Sequence, residues 1–247
     1  MTAGTRIVHL HIPKTAGTAL RKAFERAAGG SFRVFPHFEE KRYTNIDPTQ
    51  YDFFSGHIGF KTAATLGGKV ITVLRDPVDR FVSVYYFWRQ LLEGGREKSL
   101  KTLLASKYSL AEFVKIRDEP SLQVALHNTM TWQIAHGTSL VSRRELRQLG
   151  KTEDEVYKIA LANLSRFALV GVQERLELFE KAMERKFSVS VKIKRANVTV
   201  TRASVIEISA ATKRAIHEWS LMDMELYQEA QKLAMEPPAE NESSWLG

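Results

Sequence analysis

The sequence predicts a three-layer α/β fold, with a central, mainly parallel sheet flanked by helices and a helix-rich second half. Three observations carry this. Short apolar, β-branched runs alternate with stretches of helical periodicity, as strand–helix crossovers of a parallel sheet do. The run Lys69–Leu74 is β-branched and nearly continuous, the signature of a strand covered on both faces. From residue 100 onward helical spacing dominates.

The elements follow in order. Arg6–Ile12 reads as a strand, with Ile7, Val8, Leu10 and Ile12 apolar, and Pro13 stops it. From Gly17 the period turns helical: Leu20, Ala23, Phe24, Ala27 and Ala28 share one face, and Gly29-Gly30 closes the helix. Phe32–Phe35 and Asp52–Phe54 are short strand candidates, and Ser55-Gly56-His57 a loop at a strand end. Arg75-Asp76-Pro77 closes the central strand; Asp76 suits an N-cap and Pro77 a first helical position. Phe81, Val84, Tyr85, Trp88, Leu91 and Leu92 then line one helix face as far as Gly94-Gly95. Further helices are predicted near 100–106, 109–117, 121–136, 142–149, 152–163, 174–186 and 210–234, with a buried strand at Phe167–Val172. Residues 188–205 are basic and threonine-rich. The pattern predicts one domain over residues 1–236 and a disordered acidic tail over 237–247.

A chain of 247 residues can bury a substantial core unaided. It has no cysteine, which excludes disulfides, thiolate metal sites, iron–sulfur clusters and cysteine nucleophiles. The 36 basic residues against 28 acidic give a net charge of +8, which favours capture of anionic ligands. Neither a signal-like core nor a membrane-length apolar run is visible, so a soluble, cytoplasmic protein is expected.

The chemistry begins at Pro13-Lys14-Thr15-Ala16-Gly17-Thr18, followed by Ala19. A glycine-containing turn between a strand and a helix N-terminus offers backbone N–H groups and a favourable dipole to an anion. Gly17 permits close approach, Lys14 adds an ammonium, and Thr15 and Thr18 add hydroxyls. The order is not that of the usual nucleotide loop, in which lysine follows the second glycine; here it precedes the only glycine by three positions. The residues alone also allow a plain strand–helix turn. A second grip is suggested by Arg75 at the end of the central strand and Ser83 two turns into the next helix, both at the carboxyl edge where open parallel sheets bind ligands. Arg75 equally suits an ion pair with Asp76 or Asp79, and Ser83 a tight helix–sheet contact.

His11–Thr18 resembles the 5′-phosphosulfate loop of carbohydrate sulfotransferases akin to heparan sulfate 2-O- and 6-O-sulfotransferases. Val73–Ser83 resembles their 3′-phosphate segment, and Ser55-Gly56-His57 the segment carrying their catalytic histidine. Leu169–Arg175 and Met224–Tyr227 are similar to later landmarks, so the likeness spans about residues 6–230. Two departures stand out. Some relatives have a second histidine where this chain has Ser55, and an arginine is common near Trp132. Animal members of that family are anchored in the Golgi membrane; with no anchor visible, a soluble, bacterial-type relative is expected.

The resemblance implies a P-loop-like fold and 3′-phosphoadenylyl sulfate as donor, with adenosine 3′,5′-bisphosphate as product. It implies a carbohydrate or glycolipid acceptor, no nucleic-acid partner and no required metal. His57 is then the general base, with His37 as the second choice, and Lys14 stabilises the leaving group. Arg195, Thr201 and Arg202 are candidates to cover the 3′-phosphate. Trp88, Arg89, Trp132 and Gln133 are candidates for the acceptor cleft, although aromatics at helical spacing are more often core. An ATP-dependent kinase with Asp76 as metal ligand, or a non-enzymatic polyanion-binding module, are the other readings.

Overall fold

A computed structural model of the chain describes residues 6–27, 33–35, 38–39, 50–137, 148–194 and 207–235. His37, Arg195, Thr201, Arg202, the turn at Gly29-Gly30 and the tail from 236 lie outside the described residues, as does most of the helix predicted at 142–149. Among the described residues, five parallel strands form one sheet in the order β2-β3-β1-β4-β5. They are β1 (Ile7–Leu10), β2 (Phe38–Glu39), β3 (Phe53–His57), β4 (Lys69–Leu74) and β5 (Leu169–Val172). Of the strand expected at 32–35, the described residues 33–35 hold an isolated bridge, Val34 to Phe53, and β3 runs on through the predicted loop to His57.

Successive residues of a strand face opposite sides, and the core divides accordingly. Val8, Leu10, Phe54, Leu74, Val170 and Val172 point to one face. That face is covered by α2 (Phe60–Thr65), residues 129–135 and 153–164, and the last helix, Leu221–Met235. Ile7, Phe53, Ile71 and Val73 point to the other, where α1 (Gly17–Ala27) packs through Leu20, Ala23 and Phe24. Ala27, the last residue of α1 and expected on that buried stripe, is exposed. The Leu176–Phe187 helix covers the same face, its Phe179 ring lying so close to Gly171 of β5 that a Cβ there would sit 2.3 Å from Cδ2.

A third cluster gathers around α3 (Pro77–Glu93). Asp76 caps α3 by accepting from Asp79 N at 2.8 Å, with Pro77 in the first turn, as the sequence predicts. Phe81, Val84, Tyr85 and Trp88 are buried against α4 (Leu100–Lys107), α5 (Leu110–Phe113), α6 (Pro120–Leu126) and α10 (Ala210–Trp219). Between them come α7 (Thr129–Ala135), α8 (Glu153–Leu164) and α9 (Leu176–Phe187), and α11 (Leu221–Met235) ends the described chain.

Two helices expected to be continuous are broken. Residues 121–136 split at Asn128, whose φ of 45° is left-handed, and 210–234 split at Ser220. The breaks meet: Asn128 N donates to Trp219 O at 2.9 Å, and Asn128 Oδ1 accepts from Met222 N at 3.0 Å. Asparagine tolerates the left-handed region, and here its amide also satisfies the start of α11.

Candidate active site

Because β3, β1 and β4 are adjacent and parallel, their carboxyl ends deliver three segments side by side. His57 ends β3, residues 11–17 follow β1, and Arg75 follows β4. This is the edge at which open parallel sheets bind ligands.

The loop after β1 is unusual in its backbone. Lys14 and Ala16 have φ of 70° and 72°, a region that side chains other than glycine seldom adopt. Alternation of left-handed residues in a tight turn gathers N–H groups into an anion-binding concavity. Thr15 is fully buried, and its hydroxyl donates to Ile12 O at 2.8 Å, so this expected anion donor closes the turn on itself. Thr18 is exposed at the first turn of α1, and Ala19 is buried beneath it. Gly17 needs no special φ. It needs room: a Cβ would lie 2.0 Å from His11 Cδ2 and 2.1 Å from Nε2.

His11 belongs to a row of three imidazoles. Its ring stacks on His9 at 5.5 Å and lies 4.6 Å from His57. His9 is fully buried, shares a hydrogen bond with Ser55 Oγ at 2.8 Å, and its register partner across the sheet is Ser55. Burial, with the charge of His57 adding to it, pulls the His9 pKa down to about 3, so His9 is neutral at physiological pH. Ser55 thus anchors an imidazole supplied by the neighbouring strand.

Arginines from the start of α3 hold the loop. Arg75 Nη1 donates to Lys14 O at 2.9 Å and its Nε to Asp79 Oδ2 at 2.6 Å, so of the two ion-pair partners expected the structure uses Asp79. Arg80 Nε donates to Pro13 O at 3.1 Å. Ser83 is buried two turns into α3. The Lys14 ammonium rests 4.0 Å from the centroid of the Phe87 ring, also on α3. Phe87, Arg80 and the ring contact of His11 have no local sequence signal beyond their spacing; each depends on which strands are neighbours.

The residues expected at an acceptor cleft are scattered. Trp132 is 2% exposed and packed in the core beneath the sheet. Gln133 is fully buried, donating through Nε2 to His11 O and Ile58 O, both at 2.9 Å, so it ties the ends of β1 and β3 together. Trp88 is 6% exposed within the helical cluster. Arg89 donates to Tyr85 OH at 3.0 Å and faces Glu93. Asp76, the candidate metal ligand of a kinase reading, is occupied as the α3 cap.

Comparison with known proteins gives a consistent result. A family model described as the sulfotransferase family matches residues 1–228. The chain is 25% identical over 177 residues to human heparan-sulfate 6-O-sulfotransferase 3, covering 66% of this chain and 37% of that protein. It is 29% identical over 188 residues to heparan-sulfate 6-O-sulfotransferase 2 of Gallus gallus, covering 67% and 44%. With the Danio rerio form of the latter it shares 27% identity over 186 residues. These alignments span less than half the length of those curated relatives.

Proposed function

The chain belongs to the sulfotransferase family, and from that premise we propose that it moves a sulfuryl group from 3′-phosphoadenylyl sulfate to a carbohydrate hydroxyl. The observation that carries the proposal is the juxtaposition of His57, the left-handed Lys14–Ala16 turn and Arg75 on one sheet edge. The relatives' names point to a sugar acceptor. The turn suits an anionic end group: Lys14 and Ala16, both at positive φ, gather backbone N–H groups into one concavity.

The donor brings a sulfuryl group on a phosphate leaving group. The backbone of residues 14–18 would hold that end. Arg75 and Ser83 would hold the 3′-phosphate, with Arg195, Thr201 and Arg202 proposed to cover it. His57 takes the acceptor's proton as the acceptor oxygen bonds to sulfur. Lys14 meets the charge that moves onto the bridging oxygen as its bond to sulfur breaks. Positioning and electrostatics suffice for such a loose, in-line transfer, and the proposal requires no metal. A cytoplasmic place of action is part of the same proposal, checked by cell fractionation.

The test is transfer from labelled donor across a panel of oligosaccharide, polysaccharide and glycolipid acceptors, with chelator present. His57→Ala should lose about 10²–10⁴-fold in turnover while still binding adenosine 3′,5′-bisphosphate. Magnesium-dependent ATP binding with none of the bisphosphate would overturn the proposal.

A further inference from the structure

One buried charge near the loop has no part in the chemistry above. Arg80 is 2% exposed. Its Nε donates to Pro13 O and its Nη2 to Ala125 O, each at 3.1 Å. The opposing charge is Asp223 of α11, 1% exposed, which accepts from Thr131 N and Thr131 Oγ at 2.8 Å and from Met130 N at 3.2 Å. Burial pulls the guanidinium down to about 10, with Asp223 opposing that shift and Arg75 adding to it, so Arg80 stays charged at neutral pH.

Together with Arg75, which takes Lys14 O, Arg80 captures two successive carbonyls of one turn. A trans peptide sets its C=O and the following N–H on opposite sides. With the Pro13 carbonyl drawn to Arg80, the Lys14 N–H is turned away from it. The left-handed Lys14 is a conformation that persists only where the surroundings enforce it. A guanidinium suits this task because its rigid fork reaches two carbonyls on different elements at once.

We propose that Arg80 is a positioning residue for sulfuryl transfer: it fixes the Pro13–Lys14 peptide, and thereby the turn that presents Lys14. The inference rests on the sulfotransferase reading above. Arg80 acts through Lys14 and touches no reacting atom.

The test is a double-mutant cycle on kcat for sulfate transfer, using wild type, Arg80→Lys, Lys14→Ala and the double variant. Arg80→Lys keeps a cation for Asp223 but loses the fork. It should lower kcat about 100-fold in the wild-type background, as small misplacements of a catalytic group do. Where Lys14 is already absent, the same change should lower kcat less than about 3-fold, because both losses run through one ammonium. Equal losses in both backgrounds would overturn the proposal and leave Arg80 a fold-stabilising residue. Should Arg80→Lys not fold, Arg80→Met, which keeps the buried stem and leaves Asp223 with its Thr131 and Met130 donors, carries the same cycle. If wild type transfers no sulfate, the parent reading fails. The positioning claim is then decided by hydrogen exchange at the Thr15 amide of the same turn, which donates to Ile12 O at 3.3 Å and which Arg80→Lys should accelerate; unchanged exchange would refute it.

Discussion

Adding one methyl group at Gly17 should disable the site through the His11 ring. In Gly17→Ala the new Cβ would start 2.0 Å from Cδ2, 2.1 Å from Nε2 and 2.4 Å from Cγ of His11, so the ring must retreat by about 1 Å to reach the shortest contact real Cβ atoms make. It has little space: the ring is 8% exposed, stacked on His9 on one side and lying 4.6 Å from His57 on another. Overpacking of this kind costs about 1–3 kcal/mol. Two terms oppose each other, since alanine is favoured over glycine in a helix by up to about 1 kcal/mol. Overpacking wins, because Gly17 is the first helical residue, where that gain is smallest, and the ring is enclosed. A net loss of about 1–2 kcal/mol lowers Tm by roughly 2–8 °C in a domain of this size. Turnover should fall further, by about 100-fold, because the displaced ring pushes His57 and the loop together. Thermal denaturation and sulfate-transfer kinetics measure the two effects. In a His11→Ala background the same substitution should cost nothing or stabilise. Wild-type Tm and turnover in Gly17→Ala, or an undiminished penalty without the His11 ring, would refute the reasoning.

His9 predicts an acid-side loss of stability. Its folded pKa, about 3, lies below the unfolded 6.5, so the unfolded chain binds a proton that the folded chain refuses. Stability is therefore intact above pH 6.5 and falls as pH drops toward 3, by about 2 kcal/mol between pH 7.5 and 5. Urea midpoints of wild type and His9→Gln across that range should differ in slope by this amount; parallel curves would show that His9 titrates normally. Phe87→Leu removes the ring under the Lys14 ammonium, an interaction of about 0.5–2 kcal/mol. Turnover should drop several-fold with little change in Tm, since Phe87 is only partly buried, and unaltered kinetics would show that the ring does not steer Lys14. Asp223→Ala leaves the Met130 and Thr131 amides and the Thr131 hydroxyl without their buried acceptor and should cost about 1–3 kcal/mol by denaturant unfolding; an unchanged urea midpoint would show that these donors find other partners.

What could be read from the chain in advance was whatever depends on neighbours in sequence. Lys69–Leu74, the Asp76 cap and the strand–turn–helix of residues 7–27 are local patterns of hydrophobicity, capping chemistry and glycine, and they stand as predicted. The boundaries that failed are those decided by distant partners. The break at Asn128 lacks glycine or proline, and it exists because the Asn128 amide and backbone serve the junction of α10 and α11, more than ninety positions away. Ser220 carries no breaker signal for the same reason. At the site the division is the same. Lys14 and Gly17 could be singled out as anion-loop residues, whereas the task of Gly17 could not: it looks like a residue chosen for backbone freedom, and its φ shows no such need. What it accommodates is a ring from the preceding strand. Ser55 and His9 make the point most sharply. Alone, a serine in place of an expected histidine reads as a loss. Once β1 and β3 are known to pair in parallel, Ser55 is seen to hold the His9 imidazole opposite it on the next strand. Strand order, which no single motif encodes, is what turns three separate motifs into one site.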